Sequence, residues 1–292
     1  YKNKMPSKKM CELLGGPITK ADTIMGKRHK DIAAALQVIT EEVMTKMLNH
    51  LYKVTQCENL VLAGGVALNS VYNGKILRET PFKNLWIQPN ASDGGTSMGA
   101  AYYIYNSILK QKRGKFFDNA YTGPTYSNEE IKEFLDKNKI KYFEFKTRDQ
   151  FLKTVSQLIF KNKVIGWFQK GMEWGPRALG SRSILSNPCE KNMQEILNLK
   201  VKHREKFRPF APAVCVDDAL KYFDCDSPIP YPTDYMLMVY PVREEWREKI
   251  PSVTHVDGSG RLQSVRRDQN HLYYDLIKEF GKLSGIPILI NT

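Results

Sequence analysis

The segment Glu173–Ser183 concentrates residue types that can bind an anion. It reads Glu-Trp-Gly-Pro-Arg-Ala-Leu-Gly-Ser-Arg-Ser, with Arg177 and Arg182 five positions apart and two glycines and a proline around them. Such a loop can bring guanidinium groups and bare backbone N–H groups close to one anion. The spacing therefore favours a phosphate-binding loop, with a solvated basic turn before a helix as the alternative.

A second basic segment, Lys202–Pro212, follows. Four Lys or Arg residues occupy the seven positions from Lys202 to Arg208, and the segment then ends in an apolar stretch bracketed by prolines. A purely solvated charge run does not end in this way, so the pattern predicts a segment pinned against the core. We expect Arg208 to be buried, and a buried guanidinium needs an anionic partner.

A third polar segment, Thr254–Gln263, combines the imidazole of His255, the carboxylate of Asp257 and the guanidinium of Arg261 around two glycines. It has too few ligands for a metal site, and its residues are too close in sequence for a Ser/His/Asp triad. We expect this segment to line the substrate site, with a plain surface turn as the alternative.

The elements that must position these segments follow an α/β pattern. Apolar residues recur every three to four positions from Asp31 to about Val54, which predicts a long amphipathic helix. Two short apolar runs, Leu60–Ala63 and Leu85–Ile87, predict strands, and a helix rich in small residues is expected over 96–110.

Each of these two strands leads into a glycine turn, Gly64–Gly65 and Gly94–Gly95. Ligands usually bind at the carboxyl ends of adjacent strands in an α/β sheet, so the turns are expected to bind a ligand, with tight helix–strand packing as the alternative. Asp93, beside the second turn, is placed to reach a metal ion or a metal-bound phosphate. It is equally typical of a turn or an N-cap.

A connector over 114–126 marks a domain boundary, so the sequence predicts an α/β fold of two domains, 1–118 and 119–292. The second domain opens with capping-box spacing at Ser127–Glu130. Its predicted elements are a helix to about Asp136, a strand at 141–145, a helix at 149–161, a strand at 164–168, a helix at 217–223, a strand at 235–240, a helix at 270–283 and a closing strand at 286–290.

Composition narrows the class of protein and of partner. The chain has 292 residues, is 42% hydrophobic and carries a net charge of +13, which suits nucleic acid, an anionic membrane or small polyanions as partners. It has neither a run of about 20 apolar residues nor a signal-peptide pattern. Its five cysteines show no C-x-x-C spacing, which favours a reducing, cytoplasmic compartment. Because it opens without Met and stops after an apolar run, we expect part of a longer protein.

Taken together, these residues resemble the O-carbamoyltransferases of the nodulation and antibiotic-biosynthesis type. The blocks that carry the arginines are long and specific. The matching blocks are 63–69, Ser92–Gly94, Gly99–Ala101, 172–185, 202–212, Thr254–Gly258 with Arg261 and Gln263, and Asn291–Thr292.

The resemblance implies a partial actin-like ATPase-type (Kae1-like) domain over 1–118 and a twisted-sheet α/β YrdC-like domain over 119–292, of the kind that makes threonylcarbamoyl-adenylate. The second domain would condense carbamoyl phosphate with ATP into a carbamoyl-adenylate. The first would pass the carbamoyl group to a hydroxyl of a sugar or natural product. Both substrates are polyanions, and this chemistry calls for several preorganised cations.

By matched position, the resemblance also implies roles for single residues. Catalytic ligands of carbamoyl phosphate would be Arg177, Lys202 and Arg208, and further substrate-binding residues would be Arg182, Arg204, His255, Asp257 and Arg261. Nucleotide-lining residues would be Gly64, Gly65, Asn69, Gly94 and Gly95, with Asp93 as a metal ligand. ATP with Mg is the expected cofactor. An iron-type divalent metal is expected if the full protein has the upstream histidine pair of the family, which this sequence does not contain.

Three classes of function stay open at this point. The O-carbamoyltransferase is favoured over a related carbamoylation enzyme that acts on tRNA or in hydrogenase maturation, and over a basic RNA-binding module. The expected partners are carbamoyl phosphate, ATP and a small hydroxylated acceptor. A homodimer is one option, and neither a membrane nor a nucleic acid is expected as a partner.

Overall fold

The computed structural model of the chain describes residues 7–17, 25–114 and 118–292. Over these residues it has the mixed α/β architecture that the sequence predicts. The helices are α1 (Lys8–Leu13), α2 (Lys27–Thr55), α3 (Ser70–Asn73), α4 (Ile76–Glu79), α5 (Thr96–Tyr102), α6 (Asn128–Lys137), α7 (Arg148–Phe160), α8 (Met193–Ile196), α9 (Ala219–Tyr222), α10 (Glu244–Arg247) and α11 (His271–Ser284). The strands are β1 (Asn59–Leu62), β2 (Asn84–Ile87), β3 (Ile165–Phe168), β4 (Arg182–Ser186), β5 (Ala211–Cys215), β6 (Met238–Pro241), β7 (Ser259–Val265) and β8 (Ile288–Asn291).

The chain divides into two compact units. The smaller comprises Tyr1–Cys57 with Glu79–Pro81, and the larger comprises Glu58–Arg78 with Phe82–Thr292. The predicted domain boundary at residue 118 falls inside the larger unit and stays a prediction. Among the described helices, none is both long and apolar enough to cross a membrane.

In the smaller unit, α2 covers the predicted amphipathic helix. Arg28, near its start, ties it to the turn after α1 by donating a hydrogen bond from Nε to the carbonyl oxygen of Leu14 at 2.7 Å. The apolar face expected to be buried is mostly exposed, since Leu36 and Met47 are 65% and 60% exposed and Leu48 is the buried residue of the helix.

In the larger unit, β1 and β2 form a parallel pair with Leu60 opposite Leu85, so both predicted strands are confirmed. The N–H of Gly64 donates to the carbonyl oxygen of Ala91 at 2.7 Å, which joins the turns that follow the two strands. The buried Asn73 of α3 donates from Nδ2 to the carbonyl oxygen of Leu237 at 2.9 Å and so links this region to the larger sheet.

The larger sheet has the strand order β3-β4-β8-β5-β7-β6 over the described residues. The β5–β7 pair is parallel and the other pairs are antiparallel. Helices α7 and α11 pack on this sheet, and burying each large apolar side chain there contributes about 1.5–3 kcal/mol. The buried cluster includes Leu152, Ile159, Trp167, Leu185, Ile277, Phe280 and Leu289.

Several predicted elements of this region are confirmed. The capping box of α6 forms, with Ser127 Oγ accepting from the N–H of Glu130 at 3.1 Å and the Glu130 carboxylate accepting from the N–H of Ser127 at 2.7 Å. Helices α7 and α11 and strands β3 and β8 lie within one residue of their predicted bounds, except that β8 begins two residues late. The helix predicted at 217–223 is a 3₁₀ turn followed by α9.

Two strand predictions are wrong, wholly or in part. Residues 141–145 form no strand, because no described strand pairs with them, and Phe143 is 93% exposed. The strand predicted at 235–240 begins only at Met238. Residues 231–235 form a 3₁₀ turn, and Met236 adopts a left-handed φ of 56° that a strand cannot contain.

Strands β4, β5 and β7 were not predicted. In β5 the signal is obscured by Pro212, which cannot donate to a ladder and is rare in interior strands. It nevertheless lies opposite Ile290 between two neighbouring strands, and all five residues of β5 are buried. The apolar end of the second basic segment is therefore pinned into the core, as its composition predicts.

Candidate functional site

A cavity of about 930 Å³ lies beside β3, β4, β7 and β8 and the loops that join them. Segments far apart in sequence contribute basic side chains to it. These side chains are Arg177, Arg182, Lys202, Arg204, Arg208 and Arg261. Among the described residues that line the cavity there is no Asp or Glu. The structure therefore brings together all the basic residues that the sequence singles out.

Glu173 fixes the loop that carries Arg177. Its carboxylate accepts hydrogen bonds from the backbone N–H groups of Leu179 (2.8 Å), Ser181 (2.6 Å) and Arg182 (3.0 Å). The N–H of Gly180 donates to Ser183 Oγ at 2.9 Å. The N–H groups over 179–182 are thus all occupied. For residues 179–182 the prediction that bare N–H groups reach an anion is wrong, because Glu173 and Ser183 already bind these groups.

Gly180 is required where the loop passes α11. Its φ is +102°, and a Cβ at this position would lie 2.3 Å from the ring of Tyr273, which is fully buried. Any other residue would meet both the backbone strain of a positive φ and this clash. The close approach also places the carbonyl oxygen of Gly180 to accept from Trp167 Nε1 at 2.9 Å.

Arg261 reaches the cavity because side chains alternate along a strand. Arg261, Gln263 and Val265 share one face of β7. Val265 belongs to the core under α7 and α11, and Gln263 is 1% exposed. Arg261, two residues before Gln263 on the same face, lines the cavity.

Arg177 and Arg261 are half-buried cations without partners among the described residues. The Nε atoms of both are inaccessible to solvent and unbonded, and neither guanidinium forms an ion pair with any residue of the described ranges. Burial lowers the pKa of Arg177. Burial, together with the charges of Arg177 and Arg204, lowers the pKa of Arg261 to about 10. Such neighbouring cations are unfavourable unless an anion lies between them.

Lys202 and Arg204 belong to a segment folded around Asn198, which is fully buried. Asn198 Oδ1 accepts from Arg204 Nε at 2.7 Å, and Asn198 Nδ2 donates to the carbonyl oxygen of Arg208 at 2.8 Å. The Arg204 guanidinium also lies over the ring of Phe210, 4.9 Å from its centroid. Burial and the charge of Arg204 lower the pKa of Lys202.

Among the described residues, Arg182 and Arg208, like Arg204, have partners, in contrast to Arg177 and Arg261. Arg182 donates to backbone carbonyl oxygens, among them those of Gln169 at 2.6 Å and Pro124 at 3.0 Å, and stacks on Phe168 at 3.6 Å. The prediction that Arg208 is buried is wrong: its side chain is 51% exposed and pairs with Glu205 at 2.8 Å. Both face the cavity with part of their charge already satisfied.

His255 and Asp257 do not line the cavity. They lie in the turn before β7, where Ser259 Oγ is 2.6 Å from Asp257 Oδ1 and 3.1 Å from His255 Nδ1. Burial lowers the pKa of His255, with a smaller effect of the charge of Arg261. Burial acts to raise the pKa of Asp257, but the hydrogen bonds from Ser259 outweigh it and lower that pKa. These groups brace the turn that leads to Arg261.

Three polar residues in or next to the cavity were given no role from the sequence: Asn291, which lines it, and Gln263 and Glu173, which form hydrogen bonds with lining residues. Gln263 and Asn291 are each 1% exposed and lie on interior strands of the sheet. In the sequence, each can be recognised as an amide at a position where the two-residue alternation of a strand predicts an apolar side chain. The signal of Glu173 is a carboxylate four residues before Arg177, within a loop rich in glycine.

The predicted nucleotide-binding residues lie elsewhere, in the turns after β1 and β2, and none of them lines the cavity. Asn69 acts as an N-cap, since its Oδ1 accepts from the N–H of Tyr72 at 3.2 Å. A Cβ on Gly94 or Gly95 would lie 2.3 Å or 2.1 Å from atoms of Asn90. Tight packing therefore accounts for these two glycines. Gly64, with a φ of 106°, has open space around it, and at Gly65 a Cβ would only reach Ser92 Oγ at 3.9 Å.

Asp93 does not form a metal site with its neighbours. It is exposed, in the 3₁₀ turn after β2. Residues 7–17, 25–114 and 118–292 contain no group of three or more His, Cys, Asp or Glu side chains that could hold a metal ion. A transition metal needs more than one carboxylate ligand. The residues present therefore do not fit the predicted metal, and no chemistry is assigned to it.

Comparison with known families gives two matches. A family model described as carbamoyltransferase C-terminus matches residues 156–292, and one described as carbamoyltransferase N-terminus matches residues 3–102. The first covers the cavity, and the second covers most of the region of β1 and β2.

Curated proteins of similar sequence include nodulation proteins. Nodulation protein NolNO of Sinorhizobium fredii is 39% identical over 267 residues, which are 91% of this chain and 39% of that protein. Nodulation protein U of Bradyrhizobium diazoefficiens is 32% identical over 275 residues, 92% of this chain and 45% of that protein. An uncharacterized protein of Synechocystis sp. is 39% identical over 99% of this chain and 50% of its own length. The chain thus spans about half the length, or less, of these relatives.

Proposed function

The chain belongs to the carbamoyltransferase family, and we propose that its cationic cavity binds carbamoyl phosphate and ATP. The product formed there is a carbamoyl-adenylate. Its carbamoyl group passes to a hydroxyl group of a sugar or natural product, which makes the whole protein an ATP-dependent O-carbamoyltransferase.

The observation that carries this proposal is the match of charge between cavity and ligands. Six basic side chains line the cavity without a lining carboxylate among the described residues, and two of them hold buried nitrogen atoms without a partner. Carbamoyl phosphate and ATP are both polyanions, and together they supply several negative charges that such a site lacks. The volume of about 930 Å³ is within the range of small-molecule sites.

The arrangement gives each cation a distinct role in the proposal. Arg177 and Arg261 have free guanidinium nitrogens and can bind phosphoryl oxygens bidentately, whereas Lys202 acts as a point charge. Arg204 is held by Asn198 and lends charge from a fixed position. Arg208 lies at the exposed rim and can exchange Glu205 for an incoming anion.

The reaction is balanced with one water molecule. Carbamoyl phosphate, ATP and water give carbamoyl-adenylate, phosphate and pyrophosphate. Water attacks the phosphorus of carbamoyl phosphate, the bond from that phosphorus to the carbamate oxygen breaks, and phosphate leaves. The freed carbamate oxygen then bonds to the α-phosphorus of ATP, and the bond from that phosphorus to pyrophosphate breaks. The acceptor hydroxyl then attacks the carbamoyl carbon, AMP leaves, and the hydroxyl proton is released. Negative charge develops on phosphoryl oxygens in these steps, where preorganised cations stabilise it.

The finer fold and cofactor assignments are parts of the same proposal. The mixed sheet of residues 119–292 is assigned to the YrdC-like type, and the region before it to a partial actin-like (Kae1-like) domain. ATP enters as its Mg complex. Because no described carboxylate lines the cavity, phosphate oxygens and water would complete the Mg shell, as is usual for this ion.

The geometry favours small anions over an RNA backbone. The cations converge on one space between strands, whereas a protein that binds single-stranded RNA presents a basic groove interleaved with exposed aromatic side chains. Binding of RNA that falls steeply with salt and ignores carbamoyl phosphate would favour the RNA-binding alternative.

The test is carbamoyl-phosphate-dependent release of pyrophosphate from ATP. We expect Arg177→Ala and Lys202→Ala to lower this release to background. Arg267→Ala is the matched control, because Arg267 is 66% exposed, pairs with Asp275 and lies outside the cavity. Unchanged release in Arg177→Ala, or equal loss in the Arg267 control, would count against the proposal.

A further inference from the structure

Two buried side-chain amides, those of Gln263 and Asn291, form a chain of hydrogen bonds that ends at the cavity and is here called the relay. Gln263 Nε2 donates to the carbonyl oxygen of Leu179 at 2.9 Å, and Asn291 Nδ2 donates to Gln263 Oε1 at 2.7 Å. Asn291 lines the cavity and is 1% exposed. Its Oδ1 is buried and has no hydrogen-bond partner among the described residues.

Small residues of β5 make the relay possible. Gln263 on β7 and Asn291 on β8 lie on either side of β5, beside Ala213 and Ala211 respectively. Residues 211 and 213 share a face of the strand, and both alanines are fully buried. Because neither has a side chain beyond Cβ, the two amides meet across the strand. A larger residue at either position would separate them.

The relay also fixes which way the Asn291 amide faces. A carbonyl oxygen can only accept, so the group that Gln263 turns toward Leu179 must be its NH₂. Its oxygen therefore faces Asn291, and the group that Asn291 turns toward Gln263 must in turn be its NH₂. The remaining atom, Asn291 Oδ1, is an acceptor held at a cavity lined by six cations.

We propose that Asn291 Oδ1 accepts a hydrogen bond from the NH₂ group of the carbamoyl donor and thereby selects carbamoyl phosphate over acyl phosphates without an N–H. The inference rests on the proposed function, because it concerns the same cavity. Cations bind the phosphoryl end of any acyl phosphate, but none of them can accept a hydrogen bond. A buried acceptor left unpaired is unfavourable, so a ligand with a methyl group in place of NH₂ binds more weakly.

The experiment compares carbamoyl phosphate with acetyl phosphate, which replaces the NH₂ by a methyl group of similar size. Both are titrated calorimetrically into the 292-residue chain at one pH and one salt concentration. We expect the wild-type chain to bind carbamoyl phosphate about tenfold more tightly, which is the effect of one hydrogen bond to a buried acceptor. In Asn291→Ala the two affinities should agree within about twofold.

The matched control is Asn187→Ala. Asn187 is a buried asparagine, 7% exposed, whose Nδ2 donates to Asn162 Oδ1 at 2.8 Å outside the cavity. It should keep the wild-type preference. Should Asn291→Ala fail to fold, equal affinity of the wild-type chain for the two ligands would still overturn the inference.

The outcomes separate this inference from the proposed function. Equal affinity of the wild-type chain for the two ligands, or an undiminished preference in Asn291→Ala, overturns the role of Asn291 while leaving the anion site in place. If the wild-type chain binds neither ligand, the proposed function fails and the inference fails with it.

Discussion

In both sheets of the larger unit, loops that carry predicted ligand-binding residues follow the strands. The two sheets differ in whether those residues line a common cavity. Around the six-stranded sheet, basic side chains from three distant segments share one cavity. Around β1 and β2, the predicted ligand-binding residues lie in adjacent turns, and Asp93 has no companion ligands among the described residues. Among the described residues, the predicted basic site residues of the first region thus line one cavity, whereas the predicted site residues of the second region do not.

The difference follows from how completely each sheet is packed. Strands β4, β8, β5 and β7 are interior, so each loop leaves from a strand held on both sides. The parallel pair β1–β2 has only two strands over the described residues, and such pairs need further packing to be stable. Val61 of β1 is 71% exposed and Tyr103, after α5, is 63% exposed. A site that needs several fixed charges forms where the framework is complete.

The largest difference in carbamoyl phosphate affinity between variants of the two regions is expected from Arg177→Ala. Losing a half-buried, charge-assisted contact should weaken carbamoyl phosphate binding by about 100-fold. Arg113→Ala, an exposed arginine of the other region, should change the affinity less than about twofold. Equilibrium titration of both variants checks this, and a similar loss in both would erase the contrast between the regions.

Glu173→Ala comes next. Three backbone N–H groups lose a carboxylate acceptor, so we expect about 2 kcal/mol less stability and about tenfold weaker phosphate binding as the Arg177 loop loosens. Urea unfolding and phosphate titration measure the two effects. Glu173→Gln, which keeps one acceptor oxygen, should fall between Ala and wild type. Wild-type stability in Glu173→Ala would show that the loop is held in another way.

The pH dependence of anion binding has a definite sign. Burial lowers the pKa of Lys202, and burial with neighbouring cations lowers the pKa of Arg261 to about 10, so the cavity loses positive charge as the pH rises toward that value. Inorganic phosphate stays a dianion from pH 8 to 10.5, and its affinity should fall about threefold to fivefold over this range. Arg261→Gln should flatten the profile. A rise in affinity with pH would contradict this assignment.

The smallest effect is expected from Asp93→Asn. Because Asp93 is exposed and has no companion ligands among the described residues, the substitution should change stability by less than about 0.5 kcal/mol. It should also leave carbamoyl phosphate affinity within about twofold of wild type. Thermal unfolding with and without a divalent metal tests the first point. A metal-dependent stabilisation that disappears in Asp93→Asn would place a site in this region after all.

Sequence patterns predicted the fold best where strands and helices are uniformly apolar or sharply capped. Strand β3 and helix α6 were found in this way, whereas β5 was hidden by Pro212 and β7 by its polar residues. Residue types also identified the cavity cations. Their convergence could not be derived, since Arg261 follows Arg177 by 84 residues and is brought near it by the pairing of β7 beside β5.

The roles of Glu173 and Asn291 could not be predicted for a related reason. Each depends on hydrogen bonds with residues that the fold brings close, namely the N–H groups over 179–182 and the amide of Gln263. The partner of Asn291 is distant in sequence, and although the partners of Glu173 lie in the same segment, the pattern does not show the turn that brings them to its carboxylate. The error over Arg208 has another cause, because Glu205, three residues earlier, pairs with it at the surface.

The most direct test of the central claim is a calorimetric titration of carbamoyl phosphate into the wild-type chain and into Arg261→Gln, at fixed pH and salt. We expect saturable binding at one site per chain, weakened by about 100-fold when the half-buried charge of Arg261 is removed. Absence of saturable binding to the wild-type chain, or equal affinity in the two proteins, would contradict it.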